Sequence, residues 1–135
     1  MIGAVHACIG AGVGSLIDNR GGAFAAGVVS HIIADALPHR DLTPEIEAPL
    51  LAGAMAAIAC WKGLDSPEFW GALGAVAPDF EHALAYVGLI DNDTKFFPTH
   101  IDDGKWHGDQ NGTERWSQLI LGAVSIALAS LNTSE

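Results

Sequence analysis

His31 and Asp35 stand four residues apart in the apolar run Val29-Ser30-His31-Ile32-Ile33-Ala34-Asp35. On a helix that spacing aims both side chains from one face at a common point, as a metal ion requires and as a simple buried hydrogen bond also would. A carboxylate among Val, Ile and Ala is costly unless a cation or hydrogen-bond donors compensate it. The oddity recurs. His6 lies between Val5 and Ala7, His39 follows Pro38, and Asp79, Glu81 and His82 sit in Ala77-Pro78-Asp79-Phe80-Glu81-His82-Ala83-Leu84. Taken alone, His6 reads as a satisfied core histidine and Asp79 as a helix-start carboxylate favoured by the dipole. Together, His6, His31, Asp35 and Asp79 would need four separate sets of partners if buried apart, so they are expected to converge on one site. A long polar stretch adds Thr99-His100 and Trp106-His107, and long loops in compact domains tend to carry function. Imidazole and carboxylate without paired thiolates suit zinc, or another first-row divalent ion, in an open site.

These residues must be carried by helices, since no run alternates Val, Ile and Thr with period two and no repeat is present. A first helix is expected over Ile2 to Ile17, and a turn at Asp18-Asn19-Arg20-Gly21-Gly22 leads to a second from Ala23 to Leu37, closed by Pro38. Thr43 as N-cap, Pro44 at the first helical position and Glu45 and Glu47 in the first turn open a third, through Trp61. Ser66-Pro67-Glu68 opens a fourth through Val76, Pro78-Asp79 a fifth through Leu89, and Thr113-Glu114 the last, to Leu131. The expected fold is all-α: one domain over 1–135, a compact bundle of five or six helices with one long irregular loop at about 91–112. The first, second and last helices are expected in its core.

Composition narrows the partners. With 135 residues, half of them apolar, the chain can build one core without disulfides, and Cys8 and Cys60 read as buried, reduced thiols. A net charge of -10 opposes non-specific binding to nucleic acid. No Lys or Arg precedes the run from Met1 to Ile17 and no cleavage site follows it, so a cytoplasmic protein is expected. Membrane association stays open. Met1 to Ile17 and Trp116 to Ser134 are nearly free of charge, yet rich in Ala, Gly and Ser, and Gly10 with Gly14 forms a small-xxx-small pair suited to close helix contacts.

His31-x-x-x-Asp35 with Pro38-His39, and Gly3-Ala4-Val5-His6 before it, resemble motifs of the zinc-dependent phospholipase C and single-strand nuclease superfamily. Pro78-Asp79 and Thr99-His100 are similar to elements of small membrane-bound metal-dependent hydrolases. The likeness covers about a third of the chain, and no late His-x-x-x-Asp or His-x-x-x-Glu pair follows His100. It implies an all-helical hydrolase of phosphoesters, its substrate a small molecule or a lipid headgroup, holding one to three zinc ions on His6, His31, Asp35, His39, Asp79 and His100. In that reading Asp79 bridges two ions or acts as base, His39 ligates or donates to the leaving group, and His82 or His107 orients ligands. The competing expectation is a non-enzymatic helical scaffold, in which a structural ion or plain His-Asp pairs tie the helices together.

Overall fold

The computed structural model describes residues 1–97 and 115–132, and these form five α-helices with no strand among the described residues. They are α1 (Gly3–Gly14), α2 (Arg20–Asp35), α3 (Pro44–Lys62), α4 (Pro67–Tyr86) and α5 (Arg115–Leu131), with a short 3-10 turn at Asn92–Thr94. The all-helical expectation holds. Two of the expected helix starts are observed, although the Thr43 side chain makes no capping hydrogen bond. Thr43 is extended ahead of Pro44, and the Ser66 side chain accepts the N–H of Phe69 at 3.1 Å ahead of Pro67. The Asn19 side chain accepts the N–H of Gly22 at 2.8 Å, so α2 begins at Arg20. Gly21 and Gly22 therefore form its first turn rather than a separate reversal before it. His100, His107 and the expected start at Thr113-Glu114 lie outside the described residues, as does most of the expected irregular loop.

The expected fourth and fifth helices are one. α4 runs through Pro78, which is fully buried inside it. A proline leaves the carbonyl four residues back without a donor and crowds the turn before it, which usually ends a helix. The carbonyl concerned is that of Gly74; the next one, of Ala75, takes Nδ1–H of His31 at 2.7 Å, which ties α2 to α4 beside Pro78. Continuity through Pro78 places Asp79 in mid-helix, on the face that meets α2.

α1 is the hub. It packs on α2, α3, α4 and α5, while α4 also makes a long contact with α2. The seam is set by small residues. A Cβ on Gly71 would overlap the Gly10 carbonyl oxygen, and one on Gly27 would overlap that of Gly71, so three backbones come as close as side chains would forbid. Around this seam Ala7, Ala11, Ile58, Ala72 and Val76 form a core bordered by Leu51, Met55, Phe69 and Ile126. α5 is not a core helix as expected. It buries Gln118, Gly122 and Ala129 and leaves Trp116, Leu119, Ile120, Val124 and Leu131 exposed, because its contacts are chiefly with α1. Cys60 is also exposed, on the outer side of α3, while Cys8 is partly buried, and both are free thiols. Among the described residues no helix is long and apolar enough to cross a membrane.

Candidate metal centre

The site lies at one end of the bundle, where α1 starts, α2 ends, α3 starts and α4 passes Pro78. Backbone N–H groups at a helix start need acceptors, and two side chains from other helices supply them. Glu47 of α3 accepts the N–H of Gly3 at 2.6 Å through Oε1 and that of Leu42 at 3.3 Å through Oε2. Gln118 of α5 accepts the N–H of Ile2 at 3.0 Å and donates to the Arg40 carbonyl at 3.0 Å. α1 is thereby pinned to three other segments, and His6, one turn in, is held at a defined height.

His6, His31 and Asp35 are fully buried, and His39 is 1 % exposed. The His6 and His31 rings stack, with centroids 4.1 Å apart. Asp35 lies between them: Oδ1 is 2.8 Å from His6 Nε2 and Oδ2 is 3.1 Å from His31 Nε2. Asp79 reaches the same place from α4, its Oδ1 3.8 Å from His31 Nε2, and its side chain is 27 % exposed. One ring nitrogen each of His6 and His31 and a carboxylate oxygen of Asp79 lie within 4.8 Å of one another, the spacing of a group able to hold one ion. His39 adjoins through the exit of α2, with Nε2 3.3 Å from Asp41 Oδ1 and 4.0 Å from Asp35 Oδ1. The Met1 ammonium meets Asp35 Oδ1 at 2.8 Å and Asp41 Oδ1 at 3.0 Å.

Two observations test whether these residues suit a metal. Nδ1–H of His31 donates to the Ala75 carbonyl and Nδ1–H of His39 to the Leu37 carbonyl, both at 2.7 Å. A carbonyl only accepts, so each ring keeps Nε2 for the carboxylates, an anchoring typical of metal-binding imidazoles. The second is His6 Nδ1, buried with no hydrogen-bond partner. Leaving such an atom dry costs about 1–3 kcal/mol, so the donor set holds more capacity than its own hydrogen bonds use. The residues fit a divalent ion.

The electrostatics differ from one group to the next. Burial pushes the Asp35 carboxyl up, but hydrogen bonds to His31 and His6 outweigh it and hold the group far below the usual carboxylate range. Burial pushes the His6 imidazole down, which keeps its ligand form, the neutral ring, available. For His31 the effect of burial is overcome by the Asp35 hydrogen bond and the nearby carboxylates, and for His39 by the Asp41 hydrogen bond, so both are raised. Burial also raises Glu47.

Of the residues expected here, His6, His31, Asp35, His39 and Asp79 are brought together, and His100 lies outside the described residues. His82 is exposed and its Nδ1 faces the Lys95 ammonium at 3.0 Å. Asp41, Glu47 and Gln118 belong to the site without having been expected. Asp41 had one signal, its place two residues after His39 in His39-Arg40-Asp41, whereas Glu47 read as a dipole partner and nothing in the sequence singled out Gln118. Glu81 also does more than its position suggests, since its carboxylate accepts the N–H of Phe96 at 2.6 Å and that of Phe97 at 2.8 Å. No family model, curated protein or solved structure matches the chain.

Proposed function

We propose that the chain is a metal-dependent hydrolase of phosphoesters, with zinc or another first-row divalent ion held by His6, His31 and Asp79 and steadied by Asp35. The observation that carries this reading is the convergence of two imidazoles and a carboxylate from three different helices, with one of the three, Asp79, reaching solvent. Three protein ligands with a solvent-facing side describe an open, catalytic type of centre better than a closed structural one. When bound, the ion supplies Lewis-acid polarisation of phosphoryl oxygens and acidification of water.

The chain's own residues supply the rest. Asp35 lies between His6 and His31 and fixes both rings against rotation. Ala75 and Leu37 hold the tautomers of His31 and His39. Asp79 has both a place among the ligand atoms and an exposed edge, so it is placed to accept a proton from an incoming water. His39 directs Nε2 at Asp41 and, farther off, at Asp35, and so borders the ligands from the exit of α2. The full burial of His6, His31 and Asp35 also favours the second reading, a scaffold with a structural ion.

Hydrolysis of bis(4-nitrophenyl) phosphate and of 4-nitrophenyl phosphate, measured with zinc, manganese or cobalt and with chelator, separates the two. The expected result is metal-dependent turnover that is lost in Asp79→Asn and Asp35→Asn. A wild-type protein that carries zinc by elemental analysis yet turns over neither ester would establish the scaffold instead.

A further inference from the structure

α1 begins without the devices that open the helices after it. Its N-cap residue, Ile2, has no side-chain hydrogen bond to offer, and no acid stands in its first turn. By contrast α2 is capped by Asn19, α3 opens on Pro44 with Glu45 and Glu47, and α4 on Ser66 and Pro67 with Glu68. The acceptor and the negative charge that the start of α1 lacks come from another helix, through the carboxylate of Glu47 on the Gly3 N–H at 2.6 Å. Resting on the reading that His6, His31 and Asp79 take a metal, we infer that Glu47 is a positioning residue of that centre: through the first turn of α1 it sets the spacing between His6 and Asp79.

The geometry of Gly3 carries this. It lies three residues before His6, so both face the same side of α1, and a shift of the one is passed to the other within a single helical turn. Gly3 also lies beside acids of two other helices. A Cβ built on it would be 3.4 Å from Glu47 Oε1 of α3 and 3.7 Å from Asp79 Oδ2 of α4. Where Glu47 holds Gly3 therefore fixes where His6 stands against Asp79. The choice of an acid fits the task. Glu47 uses both oxygens, the second on the Leu42 N–H at 3.3 Å, so it joins the start of α1 to the segment between α2 and α3 as well. Burial and the charges of Asp41 and Asp79 oppose a carboxylate at this place. Glutamine would avoid that cost, but it has one acceptor oxygen and would turn an amide N–H at one of the two donors. Aspartate keeps both oxygens on a stem one methylene shorter, which draws them back from α1.

The visible absorption of bound cobalt(II) reads the geometry around the ion and a zinc titration reads its affinity, both without substrate. Glu47→Gln and Glu47→Asp should each shift the cobalt bands and weaken zinc binding about tenfold, the scale on which residues that orient ligands act. A role confined to capping α1 gives a different pattern, a lower melting temperature in chelator with the cobalt spectrum and zinc affinity of the wild type, and that pattern overturns the inference alone. Wild-type binding in Glu47→Asp beside weakened binding in Glu47→Gln would make charge rather than reach the cause, and overturns it too. A wild type that binds neither ion overturns the inference together with the proposed function. Should the variants fail to fold, the wild type still decides. Coupling is reciprocal, so zinc should slow hydrogen exchange at the Gly3 and Leu42 amides about tenfold more than at Phe69, whose N–H is held by Ser66 at the far end of the bundle. Equal slowing at all three amides would overturn the inference.

Discussion

The two ends of the bundle bury charge in different ways. At the end away from the site, Lys62 meets Glu68 at 2.9 Å and donates also to the Ala129 carbonyl at 2.7 Å and toward that of Asn132 at 3.5 Å. One cation faces one anion, and an ammonium's three protons have three acceptors. At the site end Asp35, Asp41, Asp79 and Glu47 gather around imidazoles whose charge depends on protonation, and a ring nitrogen of His6 is left dry. The first arrangement is saturated and ties α3 to α4 and α5. The second is rich in acceptors and ring nitrogens, and it is stable without further help only while protons or the Met1 ammonium supply the positive charge. The saturated pair acts as a structural tie, whereas the cluster, with the dry nitrogen of His6, has capacity for a cation.

The sharpest break between the two ends comes from Lys62→Met. Removing one partner strands Glu68, which is 5 % exposed, so the fold should lose about 3–5 kcal/mol. Zinc affinity should stay within a factor of about two, because nothing in the site touches this pair. Chemical denaturation read by circular dichroism, with a zinc titration on the same sample, checks both halves. A mild effect on stability with a large effect on zinc would mean that the two ends are coupled and that the contrast drawn between them is mistaken.

Next in size is the response to metal. Zinc at about one hundred times its dissociation constant should stabilise the wild type by about 2.7 kcal/mol, a rise in melting temperature of about 10 °C for a chain of this length. Asp79→Asn should lose most of that rise while melting, in chelator, near the wild-type temperature. Differential scanning calorimetry with and without chelator measures it. An equal rise in both proteins would exclude Asp79 as a ligand.

Much of this contrast is legible in the order of the amino acids alone, and its gaps have physical causes. His31 and Asp35 share a face because helical geometry alone decides it, and His6 and Asp79 stand out because a polar residue in an apolar run needs a partner. Pro44 and Ser66 with Pro67 mark helix starts by local chemistry, and both starts are found there, the first without a capping bond from Thr43. Pro78 misleads for the complementary reason. Its penalty is local, whereas the packing of α4 along α1 and α2, with His31 bonded to the Ala75 carbonyl beside Pro78, is non-local and no local rule contains it. Asp41 lies in the non-helical stretch between α2 and α3, where no periodicity orients a side chain. Gln118 is one polar residue in a helix whose outer face is apolar, and its role emerges only when the start of α1 is placed beside it.

The pH dependence should be smaller and should differ between the metal-free and zinc-loaded forms. A raised imidazole contributes stability that is complete below its ordinary pKa of 6.5 and is lost as pH rises through the raised value, which is the case for His31 and His39. A depressed carboxyl contributes stability that is complete above its ordinary 3.8 and is lost as pH falls, which is the case for Asp35. His6 acts against the imidazole pair, since burial lowers it and its contribution fades as pH drops below 6.5. The metal-free protein should therefore lose stability as pH rises above 6.5 through the raised imidazole values. Zinc displaces the imidazole protons, so the loaded protein should instead gain stability as pH rises through that range. Melting temperatures from pH 4 to 8, with zinc and with chelator, should give curves that diverge upward. Parallel curves would show that the imidazoles are not ligands.

The smallest expected effect belongs to His82, and it tests whether the boundary of the site is drawn correctly. His82 lies on α4 three residues after Asp79, so helical spacing puts the two on neighbouring positions of one face, close enough for a role in orienting Asp79. The structure shows the side chain exposed and its ring facing Lys95 at 3.0 Å, in the segment that Glu81 ties to α4 through Phe96 and Phe97. An exposed contact of this kind contributes little, because solvent already serves both groups. His82→Ala should change stability by less than about 0.5 kcal/mol and leave zinc stoichiometry and affinity as in the wild type. Glu81→Ala, which takes the acceptor from two backbone N–H groups, should cost more, about 1–2 kcal/mol, while also sparing zinc. A tenfold fall in zinc affinity in His82→Ala would move the boundary outward by one turn of α4 and make that histidine a positioning residue for Asp79.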